Sequence, residues 1–274
     1  MDARQSDSAT NAATGAATTR LAIIALGGIP LIAPGDDLAA IILSAIGESG
    51  ETLCDGDVLV LAQKIVSKAE GRYRILEQVT PSARAEELAA LTDKDPRLVE
   101  LILAESTEIV RHRKGVLVVA HRIGIVMANA GIDASNVEPS AEGTHVLLLP
   151  EAPDSSAESL RAAIRASTGT DIAVIINDSV GRAWRNGTVG IALGSAGLPA
   201  LNDLNGTPDL FGRPLQASQV GLADELAAAA SLLMGQANEG RPAVLISGLG
   251  ATRKGGSAAR RPTMKGSSAP VRVG

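Results

Sequence analysis

The stretch Asp171-Ile-Ala-Val-Ile-Ile-Asn-Asp-Ser-Val-Gly-Arg182 decides the fold class. Its apolar half, rich in β-branched residues, is the most strand-like run in the second half of the chain. The abrupt change to Asn177, Asp178 and Ser179 puts polar side chains at the strand's C-terminal end, where α/β proteins usually bind ligands. Upstream, Asp154 opens an amphipathic stretch that Ser155 and Glu158 can support as a cap and that Gly169 can end. Downstream, residues 188–193 read as another strand, 219–234 as a long Ala/Leu-rich helix, and Ala243–Ser247 as a closing strand.

The N-terminal half repeats the alternation. Residues 22–26 form a short strand ending at Gly27-Gly28. Asp36 or Asp37 caps a helix through about Ser49, with Leu38, Ile41, Ile42, Ala45 and Ile46 on one face. Asp55-Gly56 turns into the buried strand Val58–Ala62. Helices follow near 82–91 and 96–107, the second with Asp95 as cap and Pro96 at its first position. Short strands near 108–112, 116–120 and 123–127 form an antiparallel meander, and 145–149 reads as a strand. The pattern predicts a mixed α/β fold, without fixing the strand order.

Composition narrows the function classes. The 274 residues suit one large domain or two modest ones. With one Trp, one Tyr and one Phe, the core is built from Ala, Val, Ile and Leu, and nucleic-acid binding on aromatic platforms is disfavoured. Residues 1–20 and 251–274 read as tails flanking a domain over 21–250. Net charge is −5, but the first 20 residues are neutral and the last 24 carry six basic and no acidic residues, so 21–250 carries −11. An acidic body that handles phosphate needs local Lys or Arg, or a bound cation. The single Cys54 excludes an intramolecular disulfide and fits a cytoplasmic protein; Asp-Gly after it disfavours a thiolate. No apolar run approaches the ~20 residues of a membrane span, and no secretion-type apolar segment opens the chain.

Four segments carry side chains suited to chemistry. Ala128-Asn-Ala-Gly-Ile-Asp-Ala-Ser-Asn136 can present Asp133 as a carboxylate ligand, with Asn129 and Asn136 offering amides; a turn satisfied by its own side chains explains the same residues. Asp178 and Ser179 supply hard oxygen atoms that suit Mg²⁺ or Mn²⁺, and Arg182 and Arg185, flanking Trp184, can hold carboxylates or phosphates. After the strand Val58–Ala62 come Gln63, Lys64 and Lys68, with Ser67 and Glu70 nearby, a place to neutralise phosphate. Finally, the helix end at Met234 leads into Gln236, Asn238 and Glu239. Asp203, Asp209 and Arg213 form either a substrate loop or a surface turn. His112, His121 and His145 lack zinc-ligand spacing.

Taken together, Leu26-Gly-Gly-Ile-Pro30, Gln63-Lys-Ile-Val-Ser-Lys-Ala-Glu-Gly71, the Asp133 loop, Leu148-Leu-Pro150, Asn177-Asp-Ser-Val-Gly-Arg-Ala-Trp-Arg-Asn-Gly187 and Met234-Gly-Gln236 resemble the coenzyme F420-0:L-glutamate ligase family. That resemblance implies mixed sheets with flanking helices in two intertwined lobes. It implies an enzyme that adds L-glutamate, and further γ-linked glutamates, to coenzyme F420-0 through an acyl phosphate, with GTP as co-substrate. Asp133 and Asp178 would hold one Mg²⁺ or Mn²⁺, and Ser179 and Gln236 a second; K⁺ is a further candidate. GTP would be bound by Gly27, Gly28, Ile29, Pro30, Gln63, Lys64, Lys68, Asn136 and the loop Met234, Gly235, Gln236, Ala237, Asn238, Glu239, Gly240, Arg241. Asp133, Asp178 and Lys68 would carry catalysis, in a homodimer. Position 179, usually Thr in the family, is Ser here, which keeps the hydroxyl. The alternatives are another metal- and nucleotide-dependent carboxylate-amine ligase or phosphotransferase, or a nucleotide-binding regulator without turnover.

Overall fold

The computed structural model describes residues 20–133 and 143–249. In chain order the elements are β1 (Ala22–Ala25), α1 (Leu38–Glu48), β2 (Val58–Ala62), α2 (Gln63–Ala69), β3 (Tyr73–Ile75), α3 (Ala83–Thr92), α4 (Pro96–Ala104), β4 (Ser106–Arg113), β5 (Val116–His121) and β6 (Val126–Ala128). There follow β7 (His145–Leu147), α5 (Pro153–Thr168), β8 (Ala173–Gly181), β9 (Thr188–Ala196), β10 (Asn202–Asp203), β11 (Gln219–Val220), α6 (Leu222–Met234) and β12 (Ala243–Ser247).

A five-stranded mixed sheet, ordered β1-β12-β2-β8-β9, forms the centre. Only β2 and β8 pair in parallel. The period of two along β2 decides what covers each face. Leu59 and Leu61 join α1, α2 and α5 in one core, whereas Val58 and Val60 join α6 in the other. Both faces are therefore dry, and the core is aliphatic as the composition requires.

A bulge sets how the helices seat on β9. Ile176 pairs with Gly194 but Asn177 with Ala192, so Leu193 is an extra residue on β9. The insertion reverses the side alternation. Gly194 faces α5, where a Cβ would come within 2.3 Å of Pro153, and Gly190 faces α6, where a Cβ would come within 2.5 Å of the Ala227 carbonyl. Two glycines four residues apart thus admit helices on opposite faces.

The second lobe packs α3 and α4 on β4-β5-β6 around Leu88, Val99, Ile102, Leu117 and Val119. The short pair β3-β7 links it to the main sheet. At the junction lies a buried charge cluster. Arg72 donates from Nε to the Leu149 carbonyl at 2.9 Å and from Nη2 to Glu105 at 3.2 Å. Arg122 Nε donates to the same Glu105 at 3.0 Å. His121 Nδ1 accepts from the Ile123 N–H, and its Nε2 stands 3.6 Å from Glu105.

The fold is the mixed α/β class expected, with local departures. Asp37 and Asp95 cap their helices as predicted, each accepting from a backbone N–H two or three residues on. Asp154 does not cap α5: Ala152 holds the cap position, Pro153 opens the helix, and the Asp154 carboxylate instead accepts from the Ser195 N–H at 2.9 Å. The strand expected over 123–127 is confined to Val126–Ala128, because His121 to Ile125 close a turn. The helix expected from 219 starts at Leu222, since Gln219–Val220 pair with Asn202–Asp203. The seven-residue helix α2 was not expected; its sequence is too short to show a helical period.

Candidate functional site

One edge of the central sheet gathers most of the predicted residues. β1 and β2 both end there, because each is antiparallel to β12 between them. Gly27, Gly28, Ile29 and Pro30 leave β1 at that edge, and Gln63 and Lys64 leave β2. Arg241 enters β12 beside them: the Ala62 N–H donates to the Pro242 carbonyl at 2.8 Å. The 234–241 loop joins α6 to that same point. Asn177 pairs with Ala62 in parallel register, so β8 runs past the end of β2, carrying Asp178 and Ser179 beyond it. These residues do not end the strand, as the sequence led one to expect. β8 continues to Gly181 because β9 keeps pairing with it.

Asp133 reaches the edge from the other lobe. Asn129, Ala130 and Gly131 have φ values of 51°, 53° and 64°, three successive left-handed residues. Such backbone is costly outside glycine and persists where surroundings hold it. Here Asn129 Oδ1 accepts from the Leu117 N–H at 3.1 Å, and Ala130 is fully buried. Gly131 has no room for a Cβ, which would lie 2.8 Å from Met127 and 2.9 Å from Leu149. The turn delivers Asp133 into two backbone hydrogen bonds with Leu147, at 3.0 and 2.8 Å. Its carboxylate then meets Lys64 Nζ at 2.7 Å.

Asp178 lies beside this ion pair. Burial pushes its carboxyl up to about 6; a hydrogen bond from the Ser179 N–H and the charge of Lys64 oppose the shift, and Asp133 adds to it. The structure thus brings Asp133, Lys64 and Asp178 together. Strand alternation sends Ser179 to the other face of β8, the face shared with Asn177 and α6. Asn177 is buried, its Nδ2 3.5 Å from both Ser231 Oγ and Met234 Sδ. Gln236, two residues beyond Met234, therefore leaves α6 on the side of β8 that carries Ser179.

The other predicted residues divide. Lys68 stands one turn beyond Lys64 on α2. Gln63 is buried, and its Oε1 accepts from Ser67 Oγ at 2.8 Å. Glu239 folds onto its own loop: its carboxylate accepts from the Ala237 N–H at 2.8 Å and packs on Gly235, whose φ of 75° and missing side chain make the space. Those backbone N–H groups hold its acid below the usual range. Gln236, Ala237, Asn238, Gly240 and Arg241 are exposed on that loop. Asn136 lies outside the described residues. Arg182, Trp184 and Arg185 lie in the exposed β8–β9 turn, Trp184 at 91% exposure. Asp209 resolves as a turn, accepting from the Phe211 and Arg213 N–H groups and pairing with Arg213 at 2.9 Å.

Among the described residues no group of three or more His, Cys, Asp or Glu could hold a metal. The donors gathered here are the two carboxylates of Asp133 and Asp178, with the Ser179 hydroxyl on the opposite face of β8. Hard oxygens of this kind fit Mg²⁺ or Mn²⁺. The raised pKa of Asp178 is the local sign of fit, since a cation beside it would relieve the disfavoured charge. Sequence reasoning passed over Asn177 as a strut between β8 and α6, and Arg72 as the clamp on 147–149. The only sequence sign of either was a polar residue bordering an apolar run.

Comparison with known proteins gives the family. Residues 28–248 match the family model described as F420-0:Gamma-glutamyl ligase. The coenzyme F420:L-glutamate ligase of Methanothermobacter thermautotrophicus is 50% identical over 228 residues, covering 83% of this chain and 89% of the relative. That of Methanopyrus kandleri is 49% identical, covering 80% and 83%. That of Archaeoglobus fulgidus is 46% identical, covering 86% and 91%. Among the described residues no helix is long and apolar enough to cross a membrane.

Proposed function

The chain belongs to the F420-0:gamma-glutamyl ligase family, and from that premise we propose that its sheet-edge site joins L-glutamate to coenzyme F420-0, with GTP activating the acceptor. The observation that carries this reading is the meeting of Asp133, Lys64 and Asp178 at one edge, flanked by the 27–30 turn and the 234–241 loop.

Amide formation from a carboxylate needs an activated acyl group. In the proposed reaction an acceptor carboxylate oxygen attacks the γ-phosphorus of GTP, and the bond to the bridging oxygen breaks, releasing GDP. The glutamate amine then attacks the acyl carbon of the resulting acyl phosphate. The C–O bond breaks, phosphate leaves, and the amine gives up a proton. Further γ-linked glutamates repeat the cycle. Lys64 and Lys68, one turn apart, face the phosphates with two positive charges. The 27–30 turn and the 234–241 loop orient the nucleotide. Asp133 and Asp178 would hold one divalent cation, Ser179 and Gln236 a second. Such ions neutralise charge that develops on phosphate oxygens. The homodimer, a K⁺ and a cytoplasmic address belong to the same reading and rest on the resemblance and the lone cysteine.

The test is incubation with F420-0, GTP, L-glutamate and Mn²⁺, read by mass spectrometry and by GDP release. The expected product is heavier by glutamyl units, with GDP formed for each unit. No mass shift and no GDP would overturn the proposal.

A further inference from the structure

The outer face of the β4-β5-β6 sheet carries an apolar hollow flanked by arginines. The inner face packs against α3 and α4 through Ile109, Leu117 and Val119, while Met127, in the row of Ile109 and Val119, packs with Leu149 and Val180. Strict alternation from Ile109 would send Arg111 to that inner face. A bulge at Val110 prevents this, since Ile109 pairs with Val119 but Arg111 with Val118. Arg111 and Arg113 therefore stand on the outer face, in rows with Val118 and Val116. With His112 these four residues line a hollow of about 260 Å³. Among the described residues none of the Arg111, His112 and Arg113 side chains makes a hydrogen bond or ion pair, whereas Lys114 is paired with Asp93 at 3.0 Å.

Two unpaired guanidinium groups side by side repel each other and are kept in place by the strand. In a body carrying −11 over residues 21–250, they put two positive charges on a face that also carries Glu108, in the row of Ala120. The row Arg111, Val118, Ala128 leads to the site: strands lie about 4.8 Å apart, so Arg111 is on the order of 10 Å from Ala128. Ala128 is exposed and runs directly into the left-handed turn that delivers Asp133.

We propose that this hollow is an anion subsite for the carboxylates of the glutamylated acceptor. The inference rests on the proposed ligase reaction. Each glutamate added consumes one carboxylate and supplies two, so the acceptor gains a negative charge per cycle. An acidic protein repels such a chain unless a basic surface lies within its reach. Arg111 and Arg113 supply that surface by charge-assisted, bidentate pairing, and Val116 and Val118 support the methylene segments between carboxylates.

The test compares wild type with Arg111→Ala/Arg113→Ala, and with Arg84→Ala on α3 as a control for lost surface charge. Calorimetry at low ionic strength with free tri-γ-L-glutamate reads binding without turnover. The double variant should weaken that binding about tenfold and raise the KM of monoglutamylated acceptor by a similar factor. KM for GTP, kcat and Arg84→Ala should stay near wild type. Unchanged tri-γ-L-glutamate binding in a folded double variant would overturn the proposal. So would a change in sedimentation alone, which would assign the face to a second copy of the chain. A protein that binds tri-γ-L-glutamate through these arginines yet makes no product would refute the ligase reading and leave the anion subsite standing.

Discussion

Two carboxylates, Glu105 buried at the lobe junction and Asp178 half-buried at the sheet edge, meet surroundings that treat them in opposite ways. Glu105 is 7% exposed and is met by Arg72, Arg122 and His121. Its charge is answered by the fold itself. Asp178 sits beside an ion pair that contains another carboxylate, and its acid is pushed up to about 6. In the first arrangement the protein's own arginines, Arg72 and Arg122, donate to the carboxylate. The second holds a carboxylate where its charge is disfavoured, the condition that the proposed metal-binding role would relieve.

The sharpest way to break the contrast is Asp178→Asn. Turnover should fall by about 10³-fold or more, because the proposed reaction would lose a cation ligand where phosphoryl charge develops. The metal-free fold should gain stability at pH 7. The sign follows from the raised pKa: stability from protonated Asp178 is full below about 3.8 and is lost as pH rises through about 6. The amide avoids that loss, by about 1–3 kcal/mol once solvent screening is allowed for. Thermal melts of both proteins at pH 5 and pH 7.5, without metal, check it. Adding Mn²⁺ should raise the melting temperature of wild type only. A variant less stable than wild type at pH 7.5 would remove the argument that Asp178 is held at a cost.

Glu105→Gln tests the other half. It leaves Arg72 and Arg122 without their shared buried carboxylate, a change that costs about 3–5 kcal/mol. Its melting temperature should drop by many degrees, whereas turnover measured well below that temperature should fall far less than in Asp178→Asn. An unshifted melt would show that the junction is not held by this cluster.

The smallest effect concerns His121. Burial holds its pKa below 6.5; Glu105 opposes the shift, and Arg122 and Arg72 reinforce it. The unfolded chain therefore takes up a proton first. Stability is full above about 6.5 and declines as pH falls toward the folded value. In melts between pH 8 and pH 5, His121→Gln should flatten this decline. Equal slopes in the two proteins would contradict the neutral assignment.

Local chemistry was legible along the chain. Asp37 and Asp95 cap helices because a cap is settled within three residues. Val58–Ala62 reads as a buried strand because both of its faces are apolar. The sequence reading places the start of α5 one residue late, and Ser155 and Glu158 form no cap because the helix already opens at Pro153. The outer placement of Arg111 was not legible either, since the bulge at Val110 becomes visible only when β4 pairs with β5.

By itself the sequence determined that this is an aliphatic, mixed α/β protein with carboxylates at Asp133 and Asp178 and lysines at 64 and 68. Those are matters of composition and short-range period. Only the tertiary structure decided that Lys64 meets Asp133, because that contact needs α2 and the left-handed Asn129–Gly131 turn brought to one sheet edge. It also decided that Asp178 is the strained member of the pair. Desolvation belongs to no residue's own chemistry; it is set by everything packed around the carboxylate, and the chain fixes that only when β8 runs past β2.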